Sequence, residues 1–224
     1  DFEALFHKDY EIEIEGKVLN REDFKKMITG MLQAGGTKVE IKSLQFLDDE
    51  KLDYKFHIQN KQMDSEGRSL STIKDGKVIH EIDFAKSIEN RLKAYINSID
   101  GTKKEFQDIA KLHHELFHPN LTVDMGGQIF SIEEHRNMTH VYLQAATKCE
   151  FMSARMLGDD KVEYETAIIS GDLNTVVHSI ATIQDGKIIF TGPATDVGDS
   201  LLSSQIEAKF RAYMAVYDGN PKDF

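Results

Sequence analysis

Leu52-Asp53-Tyr54-Lys55-Phe56-His57-Ile58-Gln59 alternates apolar and polar residues without a break, the pattern of a strand with one buried and one wet face. Val162 to Ser170 repeats it, with Val162, Tyr164 and Ile168 on the inner face. A helical period replaces it between Lys103 and His118, where Phe106, Ile109, Ala110, Leu112, Leu116 and Phe117 form one stripe and Pro119 is expected to end the helix. Leu121 to Met125 reads as a short strand and Gly126-Gly127 as a turn. Ser131, followed by Ile132-Glu133-Glu134, is an N-cap with acids in the first turn, and Asn20 before Arg21-Glu22-Asp23 carries the same signal. Asp75-Gly76 and Asp185-Gly186 predict hairpin turns between β-rich flanks.

These elements occur twice. Leu5-Phe6-His7 returns as Leu116-Phe117-His118, and Leu32-Gln33-Ala34 as Leu143-Gln144-Ala145. Asp75-Gly76-Lys77 returns as Asp185-Gly186-Lys187. The offset is 111 residues at first and 110 after a slip near Gly36, which marks a duplicated domain. Ile88-Glu89 to Tyr95 and Asp100-Gly101 recur as Ile206-Glu207 to Tyr213 and Asp218-Gly219. The copies are therefore cut out of register. Residues 1–84 form a first domain without its own first helix, and 85–200 a second. Residues 201–224 supply the first helix of a further copy, which completes the first domain within the chain or docks on a neighbour. Its stripe of Ile206, Phe210, Tyr213, Met214 and Tyr217 needs burial somewhere.

The 224 residues suit two domains of about 110 each. A net charge of −11 without a basic run argues against nucleic acid or anionic membrane as partner. No stretch approaches the ~20 apolar residues of a membrane helix, so a soluble protein is expected. The single cysteine, Cys149, excludes an internal disulfide and favours a reducing compartment. A start at Asp1 rather than Met suggests that something upstream was removed or left out.

Phe210 to Gly219, Leu116 to Leu121 and His178 to Ile188 together resemble the SnoaL-like branch of the nuclear-transport-factor-2-like superfamily, twice over the whole chain. The resemblance implies an α+β fold of two tandem cone-shaped domains, each a curved antiparallel sheet wrapped around helices to leave a pocket. It implies no single function, since that superfamily holds isomerases, cyclases, dehydratases, binding domains and oligomerisation domains.

His114-Glu115-Leu116-Phe117-His118 matches H-E-x-x-H, but Pro119 ends the helix at once and copy one has Glu3 where His114 stands, so no metal is expected. His7 and His118 are the histidine pair common to both copies. Each serves either as an acid or base at a pocket mouth or as a cation complementing a helix C-terminus. Tyr54 and Tyr164, on the inner faces of their strands, can donate to a ligand or anchor the core. His178 stands where copy one has Arg68, so a cavity-lining face would hold a neutral-pH base in one copy and a fixed cation in the other. Cyclase-like and isomerase-like members use a buried aspartate or an Asp–His pair, and Asp9, Asp124 and Asp172 match no such motif. Asp9 aligns with Asn120.

Two functions follow. The first is a non-enzymatic module that binds a small apolar molecule, or that self-associates through sheet faces or the last helix. Wet-face Ile169, Phe190 and Met152 point to such a surface. The second is a cofactor-free acid–base enzyme acting on a small hydrophobic carbonyl compound, with His178 and His118 as catalytic candidates and Tyr164, Tyr54, Arg68 and His7 as ligand-binding ones. It requires a deep cavity with His178 or His118 beside a carboxylate.

Overall fold

A computed structural model describes residues 2–14, 17–33, 36–60, 64–101 and 106–194. The further first helix expected within residues 201–224 lies outside them. The chain divides into two compact units, Asp1–Lys93 and Ala94–Phe224, with the division inside helix α3 (Phe84–Ser98). Among the described residues no helix is long and apolar enough to cross a membrane.

Unit 1 runs α1 (Phe2–Leu5), β1 (Phe6–Ile14), β2 (Lys17–Asn20), α2 (Arg21–Gln33), β3 (Lys38–Asp48), β4 (Lys51–Gln59), β5 (Asp64–Lys74) and β6 (Lys77–Asp83). Its six-stranded sheet has the order β2-β1-β6-β5-β4-β3. Unit 2 runs α4 (Phe106–Leu116), β7 (Phe117–Met125), β8 (Gln128–Ser131), α5 (Ile132–Gln144), β9 (Lys148–Met156), β10 (Lys161–Ser170), β11 (Leu173–Gln184) and β12 (Lys187–Pro193). Its sheet order is the same, β8-β7-β12-β11-β10-β9. Both units are α+β. The pairing is antiparallel except between β1 and β6 and between β7 and β12, which run parallel.

Local chemistry explains most of these elements. Asp75 and Gly76 have φ of 51° and 71°, and Asp185 and Gly186 of 50° and 70°, so two left-handed residues close each hairpin. Asn20 Oδ1 accepts from the Asp23 N–H, and Ser131 forms a reciprocal capping box with Glu134. Asp83 caps α3 through the Lys86 N–H, which sets the start of that helix at Phe84.

The helix expected to reach His118 ends instead at Leu116. Phe117 pairs in parallel with Ile188, and the register then skips to Phe190↔Thr122. Pro119 lies in that skip, where the parallel ladder asks for no N–H. The repeated Asp-Gly-Lys motif also has a second role. Lys187 Nζ donates to the His114 carbonyl at 2.8 Å, and Lys77 Nζ to the Glu3 carbonyl at 2.9 Å, so each hairpin lysine caps the helix preceding its neighbouring strand.

Candidate functional site

The inner face of each sheet is read from the register. In unit 1, Val39, Ile41, Leu44 and Phe46 of β3 stand opposite Ile58, Phe56, Tyr54 and Leu52 of β4. The bulge at Lys42 keeps Leu44 and Phe46 in phase with Val39 and Ile41. The result is an apolar wall eight side chains broad. All four β3 members are more than half exposed, as is Leu32 at the end of α2. In unit 2 the equivalents are Cys149, Phe151, Ala154 and Met156, with the bulge at Met152. These are covered, Cys149 down to 4% exposure. Burial lifts its thiol pKa to about 12, which leaves it inert.

Behind the wall, unit 1 buries an acid. Glu81 of β6 accepts from the Tyr10 hydroxyl at 3.1 Å and from the Tyr54 hydroxyl on its other oxygen. Both phenols are pushed well above their ordinary range, by burial first and then by the Glu81 charge. In unit 2 the position of Glu81 is Thr191, whose hydroxyl shares a 2.8 Å hydrogen bond with Tyr164. Burial raises the Tyr164 phenol as well. The two tyrosines thus occupy the inner faces as expected, and their hydroxyls are held by protein partners. Tyr54→Phe leaves Glu81 with one phenol and is expected to cost about 2 kcal/mol. Tyr164→Phe removes a neutral pair worth about 1 kcal/mol. Urea unfolding of the two variants measures the difference, and equal losses would contradict the charge-assisted bond.

Unit 2 buries imidazoles where unit 1 buries phenyl rings. His113 Nε2 lies 3.2 Å from His135 Nδ1, and the two rings pack with Phe117 and Tyr95. Their equivalents in unit 1 are Phe2 and Phe24, packed with Phe6 and Tyr10. Burial, and for His135 the neighbouring His113, hold both imidazoles well below their ordinary pKa. Tyr95 shares a 2.9 Å hydrogen bond with Thr139.

His178 faces the other way. It pairs across the ladder with Glu165, its Nδ1 3.1 Å from that carboxylate, and Ser153 Oγ donates to the same group at 3.0 Å. These residues, with Arg155 and Glu163, line a half-open depression of about 420 Å³ on the face opposite Tyr164. Arg68 also sits opposite Tyr54. Its guanidinium binds Asp53 through Nε at 2.9 Å and Nη2 at 2.5 Å, and lies 3.5 Å above the Phe84 ring.

His7 and His118 are strand residues, not helix caps. His7 Nδ1 accepts the Asp9 N–H at 3.2 Å and His118 Nδ1 accepts the Asn120 N–H at 3.1 Å. Each imidazole therefore fixes the local turn of its own strand. With His114 on α4 and His118 on β7, H-E-x-x-H does not share a helical face. Among the described residues no group of three or more His, Cys, Asp or Glu is placed to hold a metal.

Reading the sequence alone missed Glu81, the His113–His135 pair and the β3 wall. Aligning the copies against each other offered a signal for all three: Glu81 against Thr191, Phe2 and Phe24 against the histidines, Val39 against Cys149.

No family model matches the chain, and neither does any curated protein. Among solved structures it is similar to an NTF2-like protein of unknown function from Exiguobacterium sp. 255-15, at 20% identity over 46% of this chain and 95% of that one, TM-score 0.39. It is also similar to a putative SnoaL-like polyketide cyclase from Jannaschia sp. CCS1, at 13% identity over 51% and 88%, TM-score 0.39. A putative ketosteroid isomerase from Kribbella flavida matches at 8% identity over 48% and 76%, TM-score 0.40. These likenesses concern fold alone.

Proposed function

We propose that this pair of tandem SnoaL-like, NTF2-like domains is a binding and assembly module, working through the inner face of unit 1. The observation that carries the reading is the β3 wall, with Val39, Ile41, Leu44 and Phe46 aligned on one face of an edge strand and open to solvent. A contiguous apolar patch of this kind suits an apolar partner surface. An edge strand also presents backbone groups that invite pairing. The titratable groups behind the wall are already engaged, Glu81 by two phenols, which fits a face built to be covered.

The test is Leu44→Glu in the full chain. A bare surface tolerates such a change to within about 0.5 kcal/mol. A covered face loses about 2 kcal/mol or more, because a charge must then be buried. Thermal unfolding with sedimentation to follow association provides the readout, and an unchanged protein would sink the reading.

One observation bears on the second reading, an acid–base enzyme of unit 2: His178 Nδ1 lies 3.1 Å from the Glu165 carboxylate, though in a half-open depression on the outer face and not in the deep cavity which that reading requires. An enzyme of this kind loses proton transfer at a carbon beside a carbonyl when His178→Ala removes the base. The assembly module is indifferent to that change.

A further inference from the structure

In unit 2 the chain leaving α3 shields the wall that unit 1 leaves open. Asn97 Oδ1 accepts the Phe151 N–H at 2.8 Å, and the Cys149 N–H donates to the Ile99 carbonyl at 2.8 Å. Asp100 bridges Lys148, and the Gly101 N–H donates to the Thr147 carbonyl at 2.9 Å. These four contacts run along the free edge of β9.

The sequence that does this recurs 118 residues later. The buried apolar positions Ile88, Leu92, Tyr95, Ile96 and Ile99 become Ile206, Phe210, Tyr213, Met214 and Tyr217, apolar without exception. Asp100-Gly101 becomes Asp218-Gly219. Asn97 alone among the edge contacts is not repeated, with Ala215 in its place. On the receiving side, Cys149, Phe151, Ala154 and Met156 become Val39, Ile41, Leu44 and Phe46, and Lys148 becomes Lys38. The repeated apolar stripe and a wall that the described residues leave open thus carry the two halves of one repeated contact.

We infer that residues 202–219 of this chain dock on the β3 wall of unit 1, 202–216 as a helix and 217–219 along the free edge of β3, as the α3 segment docks on β9. The inference rests on the assembly reading above and names the occupant of the same face.

The experiment is amide hydrogen exchange at Val39 and Ile41 in the full chain, at concentrations where sedimentation shows a monomer. Docking predicts exchange at least about 100-fold slower in the parent than in Phe210→Asp. Gly219→Val is the second variant, chosen because its counterpart Gly101 has no room for a side chain. Both should release the β3 amides while leaving the Cys149 amide protected. Equal exchange in parent and variants overturns the proposal. Protection that appears only as the chain dimerises overturns it too, because the helix then comes from a second copy. If Leu44→Glu exposes β3 but Phe210→Asp does not, the occupant is wrong and the assembly reading survives. If neither variant changes exchange, both fail.

Discussion

Gly101→Ala is expected to destabilise unit 2 by about 3 kcal/mol, a large effect for a single methyl group. A Cβ built on Gly101 would stand 2.5 Å from the Leu143 carbonyl oxygen and 2.6 Å from Ala146 Cα. Both are backbone atoms of the turn that ends α5, where Ala146 already holds a positive φ of 51° and Thr147 N–H closes back onto the Tyr142 carbonyl. Neither can retreat without breaking that turn. Moving Gly101 away instead breaks its bond to Thr147 and loosens the edge of β9. Gly30, inside α2 with nothing within 4 Å of a built Cβ, provides the opposite sign. Gly30→Ala should stabilise unit 1 by about 0.5–1 kcal/mol through lower unfolded-state entropy. Urea unfolding of the two variants separates the effects, and a tolerated alanine at Gly101 would contradict the close packing.

The second large effect is acid sensitivity in unit 2. His113 is buried and its pKa is lowered to about 4, with desolvation as the leading cause and the Arg136 and His114 charges adding to it. The unfolded chain binds its proton near pH 6.5. Because the folded pKa is depressed, the unfolded state holds more protons between these values. Stability is complete above about pH 6.5 and falls as the pH drops towards about 4. From pH 7 to pH 5 His113 alone removes about 2 kcal/mol. His135, in contact with it and held down by burial and by His113, shifts in the same direction. The double variant His113→Phe, His135→Phe installs the residues that unit 1 carries as Phe2 and Phe24. Its unit 2 melting temperature should be nearly flat between pH 7 and pH 5 where the parent falls. A parallel fall in both proteins would show that other groups control the acid response.

Legibility in the sequence followed the distance over which each feature is decided. Hairpins at Asp75-Gly76 and Asp185-Gly186 were readable because two adjacent residues set their φ. The caps at Asn20 and Ser131 were readable because donor and acceptor lie within three residues. Phe117 and His118 were misread as helix because their strand character comes from Ile188, some seventy residues away. His7 and His118 shared the error, since the lysines that cap the helices instead come from the distant hairpins. Glu81 gave no local hint, its partners Tyr10 and Tyr54 lying 71 and 27 positions earlier. The direction of His178 depended on its register against Glu165, which no single strand encodes.

By itself, then, the sequence determined that the protein is one domain written twice. It also determined the period, faces, turns and caps of most elements, because these arise from neighbouring residues and from the alternation of side chains along a strand. Only the tertiary structure decided which equivalent residues are covered. Val39 and Cys149 occupy the same register position on the same kind of edge strand, yet among the described residues Cys149 is covered and Val39 is not. Burial belongs to the segment that lies across a strand, and for β9 that segment is the chain running from Asn97 to Gly101.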